Sequence, residues 1–220
     1  MARSGRADTT SRTVLTLERP GNNVVSFDLA PDSDRPYATR VTIPAGSPWT
    51  PAPHWHEGYT EYVACISGRL LVRLNGVDKV VTPDDGPQVI DKGVVHEFMR
   101  ADLHGYPKTP GKGDGGDVVA EEWTDPADGM KHVFFRNLFS VLEDQKYFGW
   151  KFVPQVMYSL RRHDNWNVML GSGKGGVGWF GWTVTHTVYA LGEGVAKLIG
   201  LRPWYEEYIP ANLREVAAKY

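Results

Sequence analysis

The sequence predicts a mainly β protein, an antiparallel sandwich or barrel, followed by a helical C-terminal half. From Thr13 to about Trp123, short β-rich segments alternate with turn sequences such as Pro-Gly-Asn-Asn and Asn-Gly. No long helical period interrupts this region, which disfavours a parallel sheet with crossover helices. After Trp123, apolar residues recur at three- and four-residue steps, which is typical of amphipathic helices.

The predicted strands are short and closely spaced, as expected for a sandwich or barrel. Turn sequences such as Ser67-Gly68, Asn75-Gly76, Asp84-Asp85-Gly86 and Lys92-Gly93 lie between them. In chain order the predicted strands are Thr13–Leu17, Val24–Leu29, Ala38–Ile43, a segment holding His54 and His56, Glu61–Ile66, Arg69–Leu74, Lys79–Thr82, Gln88–Ile90 and Val95–Arg100.

In the C-terminal half, the sequence predicts helices at Lys131–Gln145, Val153–Arg161, Trp179–Leu201 and Ala211–Lys219. The third has no charged residue before Glu193, and its length is enough in principle to cross a bilayer. Three arrangements stay open for residues 175–205: docking on the barrel or on a partner subunit, attachment at a membrane interface, or a true span. Docking is the preferred prediction, because threonines interrupt the apolar face.

These patterns divide the chain into three predicted regions. Residues 1–12 form a flexible arm, residues 13–128 a β-barrel and residues 129–220 a helical extension. Within the barrel region, residues 101–116 are rich in Gly and Pro. That stretch is either a mobile flap over the site or a solvated connection.

Composition excludes several classes of protein. A formal net charge of −2 over 220 residues gives no basic footprint for nucleic acid. A single cysteine excludes an intramolecular disulfide framework, and no apolar signal segment opens the chain. We therefore expect a cytoplasmic protein, with membrane association through the long helix as the alternative. The exposed sheet edge and the additional helices make a homodimer plausible.

Four side chains form the candidate metal site: His54, His56, Glu61 and His96. Residues two apart on a strand share a face, so that His54 and His56 project together. If Glu61 and His96 face the same interior, three imidazoles and a carboxylate converge, and a divalent cation offsets the cost of burying them. Fe(II) or Mn(II) is favoured, and Ni(II), Co(II) or Zn(II) also suits these ligands. Glu61 and, as an acid or substrate contact, Tyr59 are the predicted catalytic residues.

The same residues resemble the first motif of the cupin superfamily, Gly-x5-His-x-His-x(3,4)-Glu-x6-Gly. His54, His56, Glu61 and Gly68 match it, whereas Pro48 replaces the leading glycine. The second cupin motif, Gly-x5-Pro-x-Gly-x2-His-x3-Asn, is matched at Gly93 and His96. Its other fixed places are held by Asp85, Asp91 and Arg100.

This resemblance implies a double-sheet jelly-roll barrel with a mononuclear metal site that acts on a small organic molecule. Oxidation of the dioxygenase type is the first expectation. A metal-dependent isomerase or decarboxylase is the second. The third is a metal-stabilised module that binds a small ligand without turnover. The resemblance does not extend to residues 131–220, a large addition to a single-barrel cupin.

Overall fold

The computed structural model describes residues 5–106, 115–171 and 175–220. Two antiparallel sheets pack face to face, one of six strands and one of five, with helices following the barrel. The strands are β1 (Val14–Arg19), β2 (Asn23–Asp28), β3 (Thr39–Ile43), β4 (His54–Trp55), β5 (Thr60–Ser67), β6 (Leu70–Leu74), β7 (Val77–Val81), β8 (Gln88–Ile90), β9 (His96–Arg100), β10 (Val118–Asp125) and β11 (Trp166–Asn167).

The strand order is that of a jelly roll. The first sheet runs β1-β2-β3-β10-β5-β8 and the second β11-β4-β9-β6-β7. From β3 to β10 the chain passes repeatedly from one sheet to the other, which produces the paired Greek keys of a jelly roll. The predicted double-sheet jelly-roll barrel with a helical extension is therefore confirmed.

The helices begin and end close to the predicted positions, with one exception. Ala211–Lys219, predicted as one helix, is a 3-10 turn at Ala211–Leu213 followed by a single short helical segment. The helices are α1 (Met130–Glu143), α2 (Gln145–Phe148), α3 (Phe152–Arg162), α4 (Gly178–Leu198) and α5 (Arg214–Ala217).

The main hydrophobic core joins the barrel to the first helix of the extension. Met130, Phe134 and Phe135 of α1 lie in the same buried cluster as the inward side chains of both sheets. Phe135 contacts Phe27 of β2 with ring centroids 4.8 Å apart. The two predicted regions thus share a core. Their division into separate domains stays a prediction.

Helix α4 packs against α3 and against β11, with Thr185 and Tyr189 buried. It ends at Leu198, and Gly200 just beyond it has a φ of 75°, which suits a C-terminal cap. Within the described ranges, no helix combines the length and apolar character that a membrane span requires. Several apolar side chains of α4 remain exposed, including Trp179 and Leu198. Interfacial attachment of this helix and a homodimer stay predictions. The flap at residues 101–116 also stays a prediction, since residues 107–114 lie outside the described part.

Gly68, the last residue of the first cupin-like motif, allows a close approach between strands. Its φ is 82°, and an added Cβ would lie 3.1 Å from Val118 Cγ2 and 3.2 Å from the Asp117 carbonyl oxygen. Gly21 has a similar φ of 80° but open space around it. We predict that Gly68→Ala lowers the free energy of unfolding by about 1–3 kcal/mol. The loss should be larger than that caused by Gly21→Ala, and urea unfolding measures both. Equal losses would contradict the close approach.

The side chain of His163 is buried, although its charged sequence neighbours predict a solvated one. It lies among Arg161, Arg162 and Asp164, yet it is only 1% exposed. Its Nδ1 donates to the Ser159 carbonyl at 2.6 Å, while Nε2 has no partner among the described residues. Burial lowers its pKa from 6.5 to about 4.

This shift predicts a pH-dependent stability. The unfolded chain binds a proton near pH 6.5 and the folded chain only near pH 4, so that stability is lost as the pH falls through that window. The expected loss from His163 is about 3 kcal/mol. The free energy of unfolding, measured in urea, should fall between pH 7 and pH 4 in both proteins. The fall should be about 3 kcal/mol smaller in His163→Asn than in wild type. An identical pH dependence of the two proteins would disprove it.

Candidate metal centre

Strands of both sheets bring the predicted ligands together. His54 on β4 pairs directly with His96 on the neighbouring strand β9, and Glu61 lies on β5 of the facing sheet. One nitrogen or oxygen atom from each of His54, His56, Glu61 and His96 lies within 4.8 Å of all the others. All four side chains are buried. The structure thus assembles the four residues that the sequence singled out.

Backbone carbonyls fix the tautomer of each imidazole. The Nδ1 of His54 lies 2.9 Å from the Ala52 oxygen, that of His56 2.5 Å from the Asp164 oxygen and that of His96 2.9 Å from the Val94 oxygen. A carbonyl oxygen only accepts, so that Nδ1 carries the hydrogen and Nε2 presents its lone pair to the centre. Metal-binding histidines are commonly oriented in this way.

At the centre, the lone pairs of the Glu61 carboxylate face those of two imidazole nitrogens. Glu61 Oε2 lies 3.2 Å from His56 Nε2, and Oε1 lies 3.5 Å from His96 Nε2. Those two nitrogens and Glu61 Oε1 have no hydrogen-bond partner within the described residues. Burial, followed by Lys131, lowers the pKa of His56, and burial lowers that of His54 well below its ordinary value. Neutral imidazoles and a carboxylate at these distances fit a divalent cation.

A buried lysine stabilises the Glu61 carboxylate. The Lys131 ammonium, from the start of α1, donates to Glu61 Oε2 and leaves Oε1 free of hydrogen bonds. Burial alone would raise the pKa of Glu61, but Lys131, His96 and His56 together outweigh burial and hold that pKa well below its usual range. Burial likewise opposes the charge of Lys131, whose pKa is nevertheless raised by Glu122 and Glu61.

Glu122 is a second buried carboxyl group beside the centre. It lies on β10 and approaches Lys131 to 4.0 Å. Its Oε1 has no partner among the described residues. Burial raises its pKa to about 8, so that the group is largely protonated at neutral pH. The alternation of Ala120, Glu122 and Thr124 could have indicated an inward side chain, since such residues share one face.

Asp164 connects the C-terminal half to the histidine strand. Besides its carbonyl contact with His56, its carboxylate accepts hydrogen bonds from the backbone N–H groups of Glu57 and Gly58. Two residues later, β11 pairs with β4 along its edge. No spacing motif marks Asp164 or Lys131, which lie 108 and 70 residues from their partners in the centre.

A cavity of about 240 Å³ opens beside the centre. It lies between the barrel and helices α1 and α3, and His54, Glu122 and Lys131 form part of its lining. The candidate ligand His54 and the two buried ionisable side chains Glu122 and Lys131 therefore face the same space.

Tyr59, the predicted acid or substrate contact, is directed elsewhere. Its hydroxyl donates to Asp128 Oδ2 at 2.8 Å and lies 2.6 Å from the Tyr220 hydroxyl. Burial, followed by these two hydrogen bonds, raises its pKa above its ordinary value. The catalytic role of Tyr59 stays a prediction.

The jelly-roll strand order and the histidine and glutamate positions on β4, β5 and β9 decide the fold. The barrel has the cupin fold. No family model matches the chain.

Similar curated proteins are named as oxidoreductases. "Probable oxidoreductase patJ" of Aspergillus clavatus is 39% identical over 52 residues, and that of Penicillium expansum is 38% identical over the same length. Each match covers 24% of this chain and 16% of the relative. An oxidoreductase of Arthrobotrys oligospora is 38% identical over 48 residues, which cover 22% of this chain and 19% of the relative. The matches therefore span less than a fifth of these relatives.

Similar solved structures include one described as a cupin-2 domain containing protein from Shewanella frigidimarina. It has a TM-score of 0.31 and 14% identity, and the match covers 44% of this chain and 76% of that one. A predicted oxalate decarboxylase from Thermotoga maritima has a TM-score of 0.36 and 18% identity, covering 54% and 95%. CapF, a capsular polysaccharide assembling protein from Staphylococcus aureus, has a TM-score of 0.35 and 19% identity, covering 52% and 31%. TM-scores this low carry no argument, and the assignment of the cupin fold rests on the chain itself.

We predict that Asp164→Ala lowers the affinity for Co(II) or Zn(II) by about 10- to 100-fold, the usual cost of removing a group that orients a metal ligand. The substitution removes the acceptor that fixes the backbone directly after His56. Asp164 has a φ of 53°, which Asn tolerates, so that Asp164→Asn is the matched control and should bind nearly as wild type does. Competition titration with a chromophoric chelator measures both affinities. An Asp164→Ala protein of wild-type affinity would refute this role.

Proposed function

We propose that this chain is a metal-dependent cupin enzyme that oxidises a small organic molecule at a mononuclear three-histidine, one-glutamate site, with chemistry of the dioxygenase type. The observation that carries the proposal is the convergence of unpartnered ligand atoms, with each imidazole held in the tautomer that presents Nε2. The oxidoreductase names of the relatives support the reaction class over their short matched segments.

His54, His56, Glu61 and His96 are the residues that would hold the metal. When bound, Fe(II) or Mn(II) supplies Lewis acidity and redox chemistry that amino-acid side chains lack. The protein contributes position and charge. Lys131 keeps Glu61 ionised and oriented, and the carbonyl contacts hold the rings.

The apolar cavity beside His54 contributes exclusion of water. A site with a dry wall strengthens the electrostatic interactions within it and protects reactive species from hydrolysis. Most of the side chains that line this cavity are aliphatic or aromatic. An organic molecule in that space would lie directly against one metal-binding imidazole.

The test combines metal analysis with oxygen consumption. Protein purified without chelator or nickel resin should hold one Fe or Mn per chain, and His56→Ala should lose it together with thermal stability, because binding to the native state adds to stability. His104→Ala, a histidine outside the cluster, is the control. Full metal occupancy in His56→Ala would show that the site is assigned wrongly.

The reaction class is tested on the Fe(II)-loaded protein with a panel of small aromatic and aliphatic compounds. Oxygen uptake in step with loss of one compound, absent in His56→Ala, is the expected result. Product formation without oxygen uptake would replace oxidation by isomerisation or decarboxylation. Ligand binding without turnover in every reconstituted metal form would indicate the binding module.

A further inference from the structure

The cavity beside the centre has mainly apolar walls. Its lining includes one tryptophan and five phenylalanines, which come from both the barrel and helix α1. These residues are Phe27, Trp49, Phe98, Phe134, Phe135 and Phe139. Such walls offer dispersion contacts and gain hydrophobic free energy from an apolar ligand.

The volume of the cavity suits about one ring. An engineered apolar cavity of about 150 Å³ binds benzene. This cavity measures about 240 Å³, which allows one six-membered ring with a short substituent.

The polar end of the cavity is already balanced in charge. Lys131 contacts Glu61 and lies 4.0 Å from Glu122, so that its ammonium faces two carboxyl groups. Arg19, a further cationic side chain in the lining, is exposed to solvent, which screens its charge. Lys131 is therefore already paired, and no further buried cationic side chain lies among the described residues of the lining.

One buried polar atom in this space lacks a partner. Glu122 lines the cavity, its side chain is 3% exposed and its Oε1 makes no hydrogen bond within the described residues. A ligand hydroxyl satisfies this atom whichever way the carboxyl group is protonated, since a hydroxyl donates to a carboxylate and accepts from a carboxylic acid. An unsatisfied buried oxygen is costly, so that a ligand which pairs with it is favoured over one that does not.

We propose that the cavity is the substrate site and that it selects a largely apolar, single-ring molecule whose hydroxyl group hydrogen-bonds to Glu122. This inference rests on the proposed function for the identity of the site and adds the substrate class. It separates the chain from an enzyme for oxalate or for a sugar, whose substrates lack the apolar surface that these walls match.

Isothermal titration of the Zn(II)-loaded full chain tests the selection without turnover. The probes are benzyl alcohol, toluene and glycerol, none of which carries a carboxylate that could ligate the zinc. Benzyl alcohol should bind with a Kd at least fivefold lower than that of toluene, which lacks the hydroxyl, and at least tenfold lower than that of glycerol, which lacks the ring. Toluene or glycerol binding as tightly as benzyl alcohol would overturn the proposal.

Two variants locate the binding. Leu138→Trp places a larger side chain into the cavity lining and should abolish benzyl alcohol binding. Leu191→Trp, at a position 66% exposed on α4, should bind as wild type does. Glu122→Leu should weaken benzyl alcohol binding at least fivefold and remove its advantage over toluene. Unchanged binding in folded Leu138→Trp would place the ligand elsewhere and overturn the proposal.

The two proposals fail separately. Benzyl alcohol that binds selectively while no compound is oxidised would remove the proposed reaction and leave the substrate class standing. Oxygen uptake that occurs only with oxalate or sugars would keep the reaction and remove the substrate class.

Discussion

The Glu61 carboxylate, 1% exposed between neutral imidazoles, is the constraint on which the centre depends. Burying an ionised carboxylate costs several kcal/mol unless partners replace the water that it loses. Lys131 supplies one charged hydrogen bond, to Oε2. The oxygen Oε1 and the nitrogens of His56 and His96 still face one another without hydrogens. A cation shared among them would convert a repulsive arrangement into an attractive one.

The C-terminal half is part of the site. It supplies Lys131, the Asp164 carbonyl that fixes His56 and the short strand that pairs with β4. Its first helix completes the barrel core and forms one wall of the cavity. The extension thus determines how the Glu61 charge is balanced and what kind of molecule can lie beside His54. A barrel without it would keep the four ligands but lose the lysine that stabilises one of them.

Much of this was predictable from local sequence signals. Turn residues at short intervals indicated an antiparallel sandwich or barrel, and alternation placed His54 and His56 on one face, because both rules act within a few residues. The jelly roll itself was implied only by the resemblance to the cupin motifs. Lys131 and Asp164 could not be found in this way, since their contacts are made by tertiary packing across 70 and 108 residues. The two-residue strand β11 is too short to give a period. His163 was misjudged because charged sequence neighbours do not report burial that is caused by packing against Phe134 and Tyr220.

X-ray absorption spectroscopy of the purified protein at the edge of its bound metal tests the central claim most directly. The account predicts a first shell of nitrogen and oxygen atoms, with the multiple-scattering pattern of three imidazoles that falls to two in His96→Ala. A spectrum without imidazole scattering, or one that His96→Ala leaves unchanged, would contradict it.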